Sequence, residues 1–91
     1  MFDNRRSEIE IIWEILSLSR KGARKTEILY QGNLSYTQLQ NYLKFLIDKE
    51  VLEAKTIKSY KNGNGSSRIF ETTEKGKAFL DDIDKVLTYL K

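Results

Sequence analysis

The segment from Lys25 to Lys49 constrains the fold of this chain more than any other, because its pattern encodes two helices separated by a tight turn. The shorter predicted helix runs from about Lys25 to Gln31 and ends at Gly32-Asn33, a pair suited to positive φ. Ser35 and Gln38 then form a capping box that begins a longer helix reaching about Lys49. A short helix, a glycine-containing turn and a capped longer helix are typical of the helix-turn-helix motif.

The flanking segments predict a helix before this motif and a hairpin and a helix after it. Hydrophobic periodicity of 3.6, a Ser7/Glu10 capping box and a following Gly22 indicate the first helix. Alternating residues predict the two strands, and the apolar-free loop 61–67, which contains Asn-Gly twice, predicts a hairpin between them. Thr73 is predicted to cap the last helix. The expected bounds are about Ser7 to Arg20, Leu52 to Tyr60, Arg68 to Thr72 and Glu74 to Leu90.

This order of elements predicts a mainly α fold with a small β-hairpin, an α+β winged helix-turn-helix with a C-terminal dimerisation helix. We expect residues 1–73 to form the winged domain and residues 74–91 the dimerisation helix. Leu34 is expected to pack between the two helices of the motif. A plain three-helix bundle shares part of the pattern, but it does not explain a basic hairpin directly after the third helix.

The composition argues against catalysis and against bound metal. The chain of 91 residues has no Cys and no His, so disulfides, thiolate ligands and the commonest general base are all absent. No group of Asp, Glu, Lys, Ser and Tyr suggests a reaction, and we expect no enzyme activity, no cofactor and no small-molecule ligand. No apolar run is long enough to cross a membrane and no signal-peptide pattern is seen, so we expect a cytoplasmic, nucleoid-associated protein.

The positive charge is clustered rather than large. The formal net charge is +3, and the acids and bases from Glu74 onward balance, so the whole excess lies in residues 1–73. A clustered basic surface beside a neutral tail fits binding to a polyanion, although charge alone is equally consistent with a solvated surface.

The predicted third helix has an apolar face and a polar face. Leu39, Leu43 and Leu46 recur on one side, whereas Gln40 and Asn41 lie on the other and could contact adenine in the major groove. The alternative is an ordinary solvated helix face. The basic hairpin and the start of the second helix would flank this helix and supply phosphate contacts. The candidate DNA-binding residues are Arg24, Lys25, Thr26, Ser35, Tyr36, Thr37, Gln38, Gln40, Asn41, Lys44, Lys58, Lys61 and Arg68.

Several stretches resemble an archaeal winged-helix family that includes small chromatin-type DNA-binding proteins and predicted transcriptional regulators. The resemblance is carried by residues 25–36, Gln38-Leu39, Tyr42-Leu43, Arg5-Arg6 and Thr73-Glu74-Lys75-Gly76. It implies a winged helix whose final helix pairs with its counterpart in an antiparallel coiled coil. The last helix of this chain is short, at about 17 residues or roughly 25 Å, which leaves a compact dimer involving the first helix as an alternative to a long rod.

The last helix also predicts a homodimer without reference to a family. Its apolar residues are spaced by four, three and four positions, as in a coiled coil, and an exposed apolar stripe marks an interface. The alternative is that the helix folds back on Ile11, Ile15 and Leu18 of its own chain. The candidate dimerisation residues are Phe79, Ile83, Val86, Leu87 and Leu90.

The sequence therefore predicts a double-stranded DNA-binding protein, with a transcriptional regulator as the first interpretation and an architectural chromatin protein as the second. A winged helix that binds a protein partner is the alternative from a different class. In that case Tyr36, Tyr42 and Phe45 would be the anchors, because aromatic residues dominate protein hot spots.

Overall fold

The computed structural model describes residues 7–59 and 65–90, and for residues 57–59 and 65–67 it describes the backbone alone. Its elements, in chain order, are α1 (Glu8–Leu18), β1 (Ala23–Arg24), α2 (Lys25–Gln31), α3 (Tyr36–Asp48), β2 (Leu52–Ser59), β3 (Gly65–Thr72) and α4 (Glu74–Leu90). The predicted helices and hairpin are all present, so the winged α+β architecture is confirmed.

Three caps predicted from the sequence set the starts of helices. The Ser7 hydroxyl accepts a hydrogen bond from the Glu10 amide at 3.3 Å, and the Glu10 carboxylate accepts one from the Ser7 amide at 3.0 Å. Ser35 and Gln38 form the same reciprocal pair at the start of α3. Thr73 Oγ1 accepts from the Gly76 amide at 3.0 Å. These contacts satisfy amides that a helix leaves without intrahelical partners.

The turns that end α1 and α2 use left-handed backbone. Gly22 has φ +99° and Asn33 has φ +51°. Of the pair Gly32-Asn33, only Asn33 has the predicted positive φ, because Gly32 is right-handed with φ −80°. Helix α1 ends at Leu18, two residues before the predicted end, because the Arg20 amide bonds to the Ser17 carbonyl instead of that of Leu16, which accepts from Thr72 Oγ1 at 2.7 Å. Leu34 is buried between α2 and α3.

The sheet contains one strand that the sequence did not predict. Its order is β1-β3-β2, with both pairs antiparallel. Strand β1 is two residues long, Ala23 opposite Phe70 and Arg24 opposite Ile69. A strand this short carries no measurable alternation in sequence, and its pairing with β3 is a tertiary contact. Strand β3 begins at Gly65, three residues earlier than predicted, because its partner β2 extends to Ser59.

The core lies between the helices and one face of the sheet. Ile15, Leu16, Ile28, Leu39 and Leu46 are fully buried. Phe70 and Leu52 reach the same core from the sheet. Each buried Ile, Leu or Phe contributes on the order of 1.5–3 kcal/mol of transfer free energy. This core fixes α3 with its opposite side facing solvent.

Helix α4 packs further along its length than the sequence indicated. Leu80 and Ile83 are 0% and 1% exposed, and Trp13 Nε1 of α1 donates a hydrogen bond to Asp84. The assignment of Ile83 to the dimer seam is therefore wrong, since this side chain is buried within its own chain. A domain boundary at residue 73 would also cut through this packed region, because the first half of α4 covers α1.

Candidate nucleic-acid interface

A groove between α3 and β3 collects five of the predicted DNA-binding side chains. It has a volume of about 600 Å³. Leu43 and Phe70 come from the core and contribute its apolar wall. The remaining lining residues are Lys25, Gln40, Asn41, Lys44, Ile47, Asp48 and Arg68. We call this the α3–β3 groove. Three cations and two amide side chains thus line one concave surface.

Strand register explains why Arg68 lines this groove. Arg68 lies two residues before the buried Phe70 on β3, and alternate residues of a strand share a face. Thr56 of β2 is its cross-strand partner. Phe70 therefore points into the core, and Arg68 continues the same face outward beside α3.

The same register separates Arg24 from the groove. Arg24 pairs with Ile69, one residue away from Phe70, so it lies on the opposite face of the sheet. Its backbone amide donates to the Glu27 carboxylate at 3.0 Å. Arg24 and the exposed Thr26 do not line the α3–β3 groove, and a direct part for them in DNA binding stays a prediction.

Lys25 and Tyr36 form a direct contact across the turn of the motif. Lys25 Nζ donates a hydrogen bond to Tyr36 Oη at 3.1 Å and lies 4.5 Å from the centroid of the tyrosine ring. Lys25 is half-buried, whereas Tyr36 is 60% exposed. The first residue of α2 is thereby tied to the first residue of α3.

Asn41 occupies the outermost position of α3. It lines the α3–β3 groove and also a second groove of about 400 Å³ on the other side of the helix. Successive residues of a helix are separated by about 100°, which places Asn41 nearly opposite the buried Leu39 and Leu43. Thr37, one turn earlier, is also exposed. Asn41 and Thr37 are therefore the side chains that a surface facing α3 would meet first.

The second groove, between α1 and α3, has a single charged residue, Glu8, among the described residues of its lining, and was not predicted from the sequence. Glu8 and Ile12 of α1 line one side, and Gln38, Asn41, Tyr42 and Phe45 of α3 line the other. Phe45 is 47% exposed, whereas Tyr42 packs partly against the core. Tyr30, at the end of α2, is 79% exposed, so its side chain does not pack on the core.

Two of the predicted DNA-binding residues are engaged in the cap of α3. Ser35 Oγ accepts from the Gln38 amide at 3.1 Å, and Gln38 Oε1 accepts from the Ser35 amide at 3.0 Å. Both residues are exposed, but these oxygen atoms already have partners. Ser35 and Gln38 therefore position the start of α3.

Lys61 falls between β2 and β3 in the sequence and lies outside the described residues. Lys58 is within β2 and pairs with Ser66, but its side chain also lies outside the described part. Their predicted contacts with DNA therefore stay predictions. Strands β2 and β3 stay paired past Arg68, as far as Ser59 opposite Gly65.

The charges around the α3–β3 groove favour an anionic partner. Lys55 is adjacent to Thr56 on β2, so its side chain lies on the opposite face of the sheet. It forms ion pairs with Glu71 at 2.8 Å and Glu53 at 3.2 Å. The hydrogen bond from Lys55 lowers the pKa of Glu71, and the same bond raises the pKa of Lys55. Its charge is therefore balanced on the sheet. In the α3–β3 groove, by contrast, Asp48 is the single acid against three cations.

An exposed apolar stripe runs along α4. Phe79 is 38%, Val86 44%, Tyr89 90% and Leu90 70% exposed. We call these four residues the α4 stripe. Leu87 is half-buried and lies nearer the inward face. Because Ile83 points inward, the stripe is rotated from the predicted seam toward Tyr89.

The described residues show neither a membrane span nor a metal site. In residues 7–59 and 65–90, no helix is both long and apolar enough to cross a bilayer. Over the same ranges, no three acidic side chains come together in a way that could hold a metal ion.

Comparison with known proteins supports the fold seen here. Residues 5–91 match the family model described as winged helix-turn-helix. An uncharacterized protein of Methanocaldococcus jannaschii is 30% identical over 83 residues, which are 90% of this chain and 34% of that protein. The chain thus spans about a third of the length of this relative.

Two solved structures show the same arrangement of elements. Sso10a-2, a DNA-binding protein from Sulfolobus solfataricus, has a TM-score of 0.75 and 27% identity, covering 92% of this chain and 81% of that one. A PadR family transcription regulator from Clostridium difficile has a TM-score of 0.76 and 20% identity, covering 88% of each chain. The second likeness concerns the fold alone. With its family match across nearly the whole chain, this protein belongs to the winged helix-turn-helix family.

Proposed function

We propose that this protein is a transcriptional regulator that binds double-stranded DNA, with α3 in the major groove. The observation that carries the proposal is the convergence of Lys25, Lys44 and Arg68 with two amide side chains on the α3–β3 groove. The name of Sso10a-2 as a DNA-binding protein gives independent support. The proposed activity is binding, and no covalent chemistry is part of it.

The residues divide into two roles in this proposal. Asn41 and Gln40 carry amides that can pair with the N6 and N7 atoms of adenine. Lys44 and Arg68 neutralise phosphates on the β3 side of the helix and set its register on the duplex. Asp48, near the end of α3, disfavours close approach of phosphate there, so the N-terminal two-thirds of the helix make the base contacts.

We also propose that the protein acts as a homodimer through the α4 stripe. The stripe contains two aromatic and two aliphatic side chains on one side of a helix whose other side is packed on α1. Burying each in a second copy would remove apolar surface from water. A two-fold dimer presents two α3 helices, and its preferred DNA would contain two half-sites one or two helical turns apart.

The test is the dependence of duplex affinity on salt, measured by fluorescence anisotropy with a labelled mixed-sequence duplex. Lys44→Ala and Arg68→Ala should each weaken binding and flatten the plot of log K against log salt by about 0.9 per lost phosphate contact. Lys75→Ala is the matched control, because it removes the same charge at an exposed position whose partner is Glu50 of the same chain. Unchanged slopes for both groove variants would contradict the proposal.

A second candidate function is binding of a protein partner through α3. The exposed Phe45 beside Ile12 in the α1–α3 groove favours this interpretation. Duplex binding distinguishes the two functions. Affinity for duplex DNA that weakens steeply with salt would support DNA binding, whereas a module that binds a protein partner through Phe45 would not bind duplex DNA. Phe45→Ala should leave DNA affinity within about twofold if the first proposal holds, since its ring lies away from Lys44 and Arg68.

Genome-wide occupancy of the tagged protein distinguishes a regulator from an architectural chromatin protein. A small number of sharp peaks would support regulation. Even coverage would favour the architectural role, because binding would then rest on phosphate contacts that are independent of sequence.

A further inference from the structure

We propose that Lys25 and Tyr36 act as one unit, a two-donor clamp for a single backbone phosphate, and that Tyr36 is a positioning residue rather than a reader of bases. This inference rests on the proposed DNA binding and specifies one of its contacts. It starts from the hydrogen bond of 3.1 Å between Lys25 Nζ and Tyr36 Oη.

The first step is the direction of that bond. A lysine ammonium has three donors and no acceptor, whereas a tyrosine hydroxyl both donates and accepts. Lys25 therefore donates and Tyr36 Oη accepts, which leaves the hydroxyl proton of Tyr36 and two protons of Lys25 free to bind an external oxygen. Both side chains of the unit therefore offer hydrogen-bond donors, and its one acceptor is Tyr36 Oη.

The second step concerns distance. The two donor atoms are 3.1 Å apart, and each hydrogen bond to a phosphate oxygen is about 2.7–3.2 Å long. Both donors can therefore reach the non-bridging oxygens of the same phosphate. Among base edges in the major groove only guanine presents two acceptors side by side, N7 and O6, whereas every phosphate presents two oxygens and a full negative charge to the Lys25 ammonium.

The third step is the order that the contact imposes on Lys25. A lysine side chain loses rotamer entropy when it is fixed in one conformation. Here the ammonium is already held by the hydroxyl and lies 4.5 Å from the ring centroid. Tyr36 thus holds the Lys25 ammonium in place at the rim of the α3–β3 groove before DNA binds. The lysine side chain therefore loses less rotamer entropy on binding.

The location links the clamp to the recognition surface. Lys25 begins α2 and Tyr36 begins α3, so the pair bridges the two helices of the motif. Lys25 also lines the groove with Gln40 and Lys44. A phosphate held by the clamp would fix how deeply the first turn of α3 enters the major groove, and through that depth it would position Asn41.

A double-mutant cycle on duplex affinity and its salt slope tests the clamp. Lys25→Ala should lower the slope by about 0.9. Tyr36→Phe keeps the ring and the charge, so it should leave the slope unchanged and weaken binding by about 3- to 10-fold. When Lys25 is already Ala, Tyr36→Phe should change affinity less than twofold, because without the lysine the phosphate is no longer held within reach of the hydroxyl. Lys25→Arg, which retains the charge, should restore the slope.

The control is Tyr30→Phe, which removes a hydroxyl from an exposed tyrosine of α2 that does not line the groove. It should leave affinity unchanged. Additive effects of Lys25→Ala and Tyr36→Phe, or a Tyr36→Phe variant that binds as tightly as the parent, would overturn the clamp. If Lys44→Ala and Arg68→Ala still flatten the slope, the clamp alone has failed. If they do not, the proposed DNA binding has failed with it.

Discussion

Trp13 Nε1 donates a hydrogen bond of 2.6 Å to the carboxylate of Asp84, joining α1 to the third turn of α4. The two residues are 71 positions apart in sequence. The bond lies beside Leu80 and Ile83, which are buried against the rest of the chain. It holds α4 on the domain past residue 73, where the sequence predicted the winged domain to end, and it turns the α4 stripe outward.

Asp84→Ala should destabilise the fold by about 1 kcal/mol, because the indole N–H loses a charged acceptor. Trp13 is the only tryptophan of the chain, so its emission reports this contact directly. We expect a changed emission maximum and a lower midpoint of thermal unfolding. Asp84→Asn, which retains an acceptor oxygen, is the control and should lie between the two proteins. Emission identical to that of the parent would show that the bond is absent in solution.

Val86→Asp should abolish dimerisation without unfolding the chain. Val86 is 44% exposed, so an aspartate is tolerated in one chain but is buried as a charge in the proposed interface. Light scattering after gel filtration should give twice the chain mass of 10.7 kDa for the parent and the single mass for the variant. Ile83→Ala, at the neighbouring inward position, should instead cost roughly 2–5 kcal/mol of folding free energy. A parent protein that elutes as a single chain would refute the proposed dimer.

Gly76→Ala should be destabilising even though alanine favours helix. A Cβ at Gly76 would contact the carbonyl oxygen of Val51 and lie 2.7 Å from Thr72 Cγ2. Overpacking of this kind costs roughly 1–3 kcal/mol, which exceeds the gain of about 1 kcal/mol in helix propensity. Chemical denaturation measures the difference. The opposite exchange at the exposed Ala78, Ala78→Gly, isolates the propensity effect, and a Gly76→Ala variant more stable than its parent would contradict this packing.

Glu71→Gln should reduce stability at neutral pH and lose that effect in acid. The hydrogen bond from Lys55 lowers the pKa of Glu71 below its ordinary value of 4.5. The pair therefore stabilises the fold at pH values above 4.5 and loses this contribution as the pH falls through the lowered value. Thermal midpoints of parent and variant should differ at pH 7 and converge once the pH lies below the lowered pKa of Glu71. Asp82→Asn, which removes an exposed carboxylate on α4, should show no such convergence, and a constant difference for Glu71→Gln would exclude the mechanism.

Local signals determined most of the elements. Some features depend on contacts within three or four residues, namely the capping boxes at Ser7 and Ser35, the Thr73 cap and the turn at Asn33. Their partners can therefore be identified from the local sequence. The same holds for the polar outer face of α3, because helical periodicity alone places Asn41 opposite Leu39. The helices and the location of the recognition face were predictable for this reason.

Tertiary structure decided which of these faces meet. Alternation along β3 put Arg68 beside α3, and the pairing of β1 with β3 put Arg24 on the opposite face of the sheet. The inward position of Ile83 moved the α4 stripe toward Tyr89. The bond between Lys25 and Tyr36 likewise required α2 and α3 to be packed together. A single sequence shows which residues share a face of one element, whereas contacts between elements depend on packing across the whole core. The sequence by itself therefore determined the helices, the turns and the polar side of α3, and only the folded chain decided which charges face a common partner.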